Sequence, residues 1–180
     1  ASVVTQLCPA GSLYSLIRDK RHWDSLTGKS RAKIYADLAS GLDTIHRKLG
    51  VHCDVKSHNM LVTYDESTGM WGGLVGDLGS VEFLESEDAT LTKEQGTSGC
   101  TAPEVFSGEG YARESDVFSF AFVLFDAVTN GADNQLAGLE PDRYVERLKA
   151  GERPALPHSD GTGLSQLISF CWKFDKNGQR

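Results

Sequence analysis

A mainly helical α+β fold is predicted by three observations. Ile34, Leu38, Leu42, Ile45 and Leu49 recur at spacings of four, four, three and four, which lays one apolar stripe along a helix. Residues 115–130 are apolar nearly all round, as a fully buried helix requires. Two short apolar runs, Met60-Leu61-Val62 and Leu74-Val75-Gly76, flank a turn-rich stretch and read as the strands of a hairpin.

Taken in order, Ala1 to Cys8 reads as a strand entering a Pro-Ala-Gly turn at residues 9–11. Leu13, Leu16 and Ile17 make a short helical stripe, and residues 21–29 are polar and read as irregular. Gly28-Lys29-Ser30 resembles the end of a phosphate-binding P-loop. The first glycine of that motif would fall at Trp23, so it is a decoy. The striped helix runs from Ser30, its cap, to Leu49, with Arg47 and Lys48 suited to its last turn and Gly50 stopping it. Residues 64–73 read as the hairpin connection. Residues 80–101, rich in Ser and Thr, read as a mobile loop ending at Ala102-Pro103-Glu104. After the apolar helix and Gly131, Pro141 to Ala150 is a short amphipathic helix with Pro near N1 and Gly151 behind it. Leu164, Leu167, Ile168, Cys171 and Trp172 form the last helical stripe.

Composition bounds the function classes. The chain has 180 residues, 39% hydrophobic and 24% charged, enough for one domain with a core. A net charge of −7 argues against a general nucleic-acid binder. The cysteines Cys8, Cys53, Cys100 and Cys171 form no CxxC pair, which argues against a zinc or disulfide framework and suits a reducing compartment. The longest apolar run, around Val117 to Val128, is too short to span a bilayer and contains Ser119 and Asp126. A cytoplasmic protein, or the cytosolic part of one, is expected.

The chemistry concentrates in His52-Cys53-Asp54-Val55-Lys56-Ser57-His58-Asn59-Met60-Leu61. Phosphoryl transfer needs a carboxylate for a hydroxyl proton, a cation for developing phosphate charge and an oxygen ligand for magnesium. Asp54, Lys56 and Asn59 supply that set within one decapeptide. Alone, each has a plain structural reading: a loop aspartate is usually a turn former. His52 reads as packing, His58 as surface and Trp172 as core.

The Asp-x-x-x-x-Asn loop, Asp77-Leu78-Gly79 and Ala102-Pro103-Glu104 occur in the order found in eukaryotic protein kinases, and the chain resembles the C-terminal lobe of that family. The opening VVTQLCPAGSLYSLI resembles the hinge of the tyrosine-kinase-like group, Raf-type kinases in particular. The resemblance implies a protein-kinase-like α+β fold over residues 1–180, with hinge 5–11, catalytic loop 52–61, activation segment 77–104 and helices within 115–180. It implies ATP and magnesium (Mg2+) as cofactors. Asp54 would be the base and Lys56 the γ-phosphate contact. Asn59 and Asp77 would hold the metal. Thr5 would be the gatekeeper, Gln6 and Cys8 the adenine-binding backbone and Leu61 the pocket floor. Thr97 would tie the activation segment to Asp54 and Lys56, and Asp116 would hold the catalytic-loop backbone. Asp116 also reads as a plain N-terminal helix charge. Lys56, two residues after the base, is the serine/threonine pattern, so protein serine and threonine hydroxyls are the implied acceptors.

Several positions depart from the family pattern. Cys53 replaces the usual arginine before the base, which normally pairs with an activation-loop phosphate. Leu78 replaces phenylalanine, and Cys100 stands where a large side chain is common. The late Asp-Pro-x-x-Arg pattern appears as Asp175 to Arg180 without the proline, and a pairing of Arg180 with Glu104 is expected from it. The stretch carries no glycine-rich loop and no strand lysine. A fragment of a kinase domain is therefore expected, dependent on an N-terminal lobe and weak in transfer by itself. The rival expectation is a pseudokinase or scaffold with the same fold and no chemistry.

Overall fold

Residues 5–48, 50–86, 89–92, 96–157 and 161–173 are described in a computed structural model of the chain. Among these residues are seven α-helices, one hairpin and a single 3-10 turn (Leu78–Ser80): α1 (Leu13–Arg18), α2 (Lys20–Ser25), α3 (Gly28–Lys48), β1 (Met60–Asp65), β2 (Met70–Val75), α4 (Pro103–Phe106), α5 (Arg113–Val128), α6 (Pro141–Lys149) and α7 (Leu164–Cys171). The strands pair antiparallel, Met60 opposite Val75 and Asp65 opposite Met70. This is the kinase-like α+β arrangement: mostly helix, with a two-stranded sheet laid on α3.

The stripe of α3 is buried at Ile34, Leu38, Leu42 and Ile45, and β2 lies across it. Two glycines permit that approach. A Cβ on Gly73 would lie 2.7 Å from the Ile34 carbonyl oxygen, and one on Gly72 would lie 3.1 Å from an Asp37 carboxylate oxygen. Asp37 accepts from the Gly73 amide at 3.3 Å. In the core, Phe118, Phe122 and Phe125 of α5 are buried, and the Trp172 ring sits 4.8 Å from that of Phe122 and 5.9 Å from that of Phe125. The side chains therefore bury the all-round apolar helix as its composition demands.

Some boundaries differ from the sequence reading. Residues 5–8 are not a strand. Thr5 and Gln6 are exposed, and the turn is closed by the Gly11 amide on the Cys8 carbonyl at 2.9 Å. Sheet contact begins only beyond it, where Val62 donates to Gly11 and Ser12 bridges Leu61. Residues 1–4 and Leu49 lie outside the described residues. The stretch read as irregular contains α2. Asp19 caps this helix by accepting from the His22 amide, and a single apolar residue, Trp23, is fully buried. Thr27, not Ser30, caps α3. Its hydroxyl accepts from the Ser30 amide at 3.1 Å, so the helix starts at Gly28. The hairpin connection is only 66–69, because Asp65 accepts from Ser67 and Thr68 and ties a tight turn ending at Gly69 (φ 67°). Leu167 is 47% exposed, so the last stripe buries Ile168 and Trp172 but not Leu167. The described parts of 80–101 are irregular, held by isolated bridges of Val51 to Glu82 and Leu91 to Tyr111. Among the described residues, no helix is long and apolar enough to cross a membrane.

Candidate active site

Gly50 (φ 109°) ends α3 and turns the chain into the loop, its amide donating to the Ile45 carbonyl at 3.0 Å. A side chain there would strike the Glu82 carbonyl oxygen at 2.4 Å. Val51 then exchanges two backbone bonds with Glu82.

The next two residues are fixed by a helix distant in sequence. Asp116, fully buried in the first turn of α5, accepts from the amides of His52 (2.7 Å) and Cys53 (3.1 Å). It also accepts from the Tyr111 hydroxyl (2.8 Å) and from His46 Nε2 (2.8 Å). Those bonds hold Cys53 at φ 66°, a left-handed conformation unusual for a residue with a Cβ. Burial, with the Asp116 charge beside it, holds the Tyr111 hydroxyl well above its ordinary value, so it remains a donor. His52 is fully buried. Its Nε2 donates to the Gly76 carbonyl at 2.9 Å, and its Nδ1 accepts from the Asp54 amide at 3.3 Å. That pairing assigns the neutral Nε2–H tautomer.

Asp54, Lys56 and Asn59 then converge. Asp54 Oδ2 accepts from Lys56 Nζ at 2.8 Å and from Asn59 Nδ2 at 2.8 Å. Asn59 Nδ2 also reaches the Asp54 carbonyl (2.9 Å) and Asp77 Oδ2 (3.4 Å). Asp54 Oδ1 and Asn59 Oδ1 accept no hydrogen bond among the described residues. Asp77 follows β2 in the left-handed region (φ 55°, ψ 54°), and its carboxylate is exposed. An amide oxygen and an exposed carboxylate oxygen on facing segments are hard donors of the kind magnesium takes. Asn59 turns its amide nitrogen to Asp77 here, so the pair would fit that ion with the Asn59 amide turned to present Oδ1.

The loop's far side is anchored too. Ser57 Oγ donates to Asp126 Oδ2 at 2.5 Å, and the Ser57 carbonyl accepts from the Tyr14 amide at 3.0 Å. His58 stacks on Tyr14 at 3.6 Å, with the Arg18 guanidinium 3.7 Å from the other ring centroid. Burial, then the charges of Lys56 and Arg18, hold the His58 imidazole below its ordinary value. Beside Lys56 opens a cavity of about 720 Å³, walled by Thr97, Ser98, Cys100 and Asp126 among others. Burial, reinforced by the Asp54 charge, pushes the Cys100 thiol up to about 12.

The remaining expected site residues fall less tightly. Leu61 sits in β1 opposite Leu74 and touches the turn at Ser12. Cys8 Sγ lies 3.8 Å from the Gln6 carbonyl, while Thr5 and Gln6 are exposed. Thr97 is not joined to Asp54 or Lys56 by a hydrogen bond. Its own turn engages it instead, the amide donating to Thr101 Oγ1 at 2.8 Å and the carbonyl accepting from Cys100 and Thr101, while Lys56 pairs with Asp54. Glu104 accepts from Ser115 Oγ at 2.9 Å, and Arg180 lies outside the described residues. Sequence reasoning missed His46, Tyr111, and the Ser57–Asp126 bond. His46 lies beside Ile45 but off the α3 stripe, and Tyr111 lies in no periodic element, so neither left a pattern.

Comparison with known proteins agrees with this geometry. A family model described as "Protein tyrosine and serine/threonine kinase" matches residues 1–180. The RGS domain-containing serine/threonine-protein kinase A of Dictyostelium discoideum is 30% identical over 171 residues, 94% of this chain and 14% of that protein. Serine/threonine-protein kinase STY17 of Arabidopsis thaliana is 29% identical over 180 residues, 96% of this chain and 29% of its own length. Dual specificity protein kinase shkB of Dictyostelium discoideum is 30% identical over 174 residues, 95% of this chain and 26% of that protein. The chain thus spans less than a third of each of these relatives. With the loop, the Asn59–Asp77 pair and the helical anchor in one frame, and a family match over its whole length, the chain belongs to the protein tyrosine and serine/threonine kinase family.

Proposed function

We propose that this chain carries the catalytic loop, metal-facing pair and acceptor-docking segment of a serine/threonine protein kinase that transfers the γ-phosphate of ATP to protein hydroxyls. The observation that carries the reading is the convergence on Asp54: Oδ2 is held by Lys56 and Asn59 while Oδ1 accepts no hydrogen bond among the described residues. An oriented carboxylate with one free oxygen can accept a hydroxyl proton as the nucleophile attacks. Lys56 lies beside that oxygen, where it can move to a transferring phosphoryl group. Asn59 and Asp77 would hold magnesium, which neutralises phosphate charge when bound.

Lys56, together with relatives named as serine/threonine kinases, supports hydroxyls of serine and threonine as acceptors; one relative's dual-specificity name makes tyrosine the competing acceptor. Cys53 is buried in the core, so a phosphate-pairing arginine is not part of this loop's control. The sequence given contains no glycine-rich phosphate loop, so we infer that it transfers phosphate weakly by itself. We also infer that the activity is cytoplasmic, as four cysteines scattered without a CxxC pair suit. The test is the full-length protein with magnesium and labelled ATP on a mixed serine, threonine and tyrosine peptide set. Label on serine and threonine, lost in Asp77→Asn, is expected. Label on tyrosine alone, or label unchanged in Asp77→Asn, would refute the assignment.

A further inference from the structure

The helix α5 grips the loop at two points. Asp116, in its first turn, accepts from the His52 and Cys53 amides. Asp126, ten residues further along the same helix, accepts from the Ser57 hydroxyl at 2.5 Å. The first grip holds the backbone just before Asp54, and the second holds the side chain just after Lys56. At 1.5 Å of rise per residue, the two aspartates stand about 15 Å apart along the helix. From Cys53 to Ser57 the chain can reach at most about 14 Å. One rigid helix therefore spans the stretch that carries Asp54 and Lys56, and releasing either end frees that stretch.

Lys56 has few contacts of its own to direct it. Its side chain is 30% exposed, and its ion pair among the described residues is the one with Asp54 at 2.8 Å. Nζ must leave that partner to reach a transferring phosphoryl group. At that moment the backbone at Lys56 and Ser57 decides where the side chain points. Ser57 is buried, and its carbonyl accepts from the Tyr14 amide at 3.0 Å. That bond fixes one point of the peptide and leaves it free to pivot. The hydroxyl on Asp126 supplies the second point. Burial raises the Asp126 carboxyl from its ordinary value, and the Ser57 bond is the strongest of the influences opposing that rise. The hydroxyl is thus a principal partner of the charged form.

We propose that Ser57 and Asp126 are a positioning pair for phosphoryl transfer, and that their bond acts on the rate by directing Lys56 at the transferring phosphate. The inference rests on the phosphotransfer reading above, in which Lys56 is the phosphate contact.

The test is a double-mutant cycle between Ser57 and Lys56, read as single-turnover transfer by the full-length protein at saturating ATP and acceptor. Rates are taken per bound nucleotide, so molecules that fail to fold do not count. Ser57→Ala breaks the bond and should slow transfer by roughly 10-fold or more, as should Asp126→Ala. Asp126→Asn keeps an oxygen for the hydroxyl and should stay within about 3-fold of wild type. Lys56→Met should slow transfer more than either loss. Adding Ser57→Ala to Lys56→Met should then change the rate by less than about 2-fold, because the group it directs is gone. A serine with a purely structural role would lower the rate by the same factor in both backgrounds. Should Ser57→Ala fail to fold, Asp126→Ala completes the same cycle. Wild-type transfer by Ser57→Ala, a loss in Asp126→Asn as large as in Asp126→Ala, or equal factors in the two backgrounds would each overturn the proposal and leave the phosphotransfer reading standing. Wild-type transfer by Lys56→Met would overturn both.

Discussion

Replacing Asp116 by alanine should both destabilise the fold and disable the loop. The carboxylate takes hydrogen bonds from the His52 and Cys53 amides, the Tyr111 hydroxyl and His46, all around a fully buried group. Removing it strands two buried amides, each at a cost of about 1–3 kcal/mol. The hydroxyl and imidazole relax partly, and neighbouring losses do not add. A net loss of about 3–5 kcal/mol follows, the usual penalty for breaking a buried charged network. That is a large share of the roughly 5–15 kcal/mol that typically holds a domain together. The same bonds hold Cys53 at φ 66°, and without them the peptide is free to leave that conformation. Asp54 is the next residue, so its carboxylate would leave its position between Lys56 and Asn59. Urea unfolding of the full-length protein, followed at the buried Trp23 and Trp172, measures the first effect, and phosphate transfer measures the second. Tyr111→Phe, which removes one bond, should cost only about 1 kcal/mol. A loss below about 1 kcal/mol in Asp116→Ala, with transfer at the wild-type rate, would refute the anchoring argument.

Other outcomes follow from the same geometry. Gly73→Ala puts a Cβ 2.7 Å from the Ile34 carbonyl oxygen and from Leu38 Cγ, and should destabilise by about 1–3 kcal/mol in urea unfolding. Trp172→Ala, which empties the space beside Phe122 and Phe125, should cost about 3–5 kcal/mol by the same measurement. Asp126 is held above its ordinary 3.8 chiefly by burial, against the lowering effect of the Ser57 bond. The folded state therefore keeps the proton to higher pH than the unfolded chain does. Stability from this group is present at low pH and is lost as pH rises from 3.8 through the folded value. Asp126→Asn should flatten that part of the stability–pH curve, and an unchanged curve would contradict the burial argument.

Much of this was legible in the sequence where one face or one order of residues decides the outcome. The α3 stripe and the all-round apolar α5 follow from periodicity, because burial there is set by the helix's own residues. The loop trio and Asp77 were legible from chemistry and order, and they converge. Other features depend on partners far along the chain. The helix α2 rests on one buried residue, Trp23, whose indole is held by Asn130, so no stripe announces it. Gly72 and Gly73 look like turn residues, yet they serve β2, because close contact with α3 excludes a Cβ. Asp116 reads locally as a helix N-terminal charge, and only the approach of His46, His52, Cys53 and Tyr111 makes it an anchor. Thr97 is engaged by its own local turn, which satisfies its backbone and leaves it without a hydrogen bond to Asp54 or Lys56.

The central claim is that Asp54 is the catalytic base, and single-turnover phosphate transfer by the full-length protein tests it most directly. Asp54→Asn keeps the shape and nucleotide contacts but cannot take a proton. Transfer should fall by roughly 10²- to 10⁴-fold while nucleotide affinity stays near wild type. Equal transfer by the wild type and Asp54→Asn, at equal nucleotide occupancy, would contradict it.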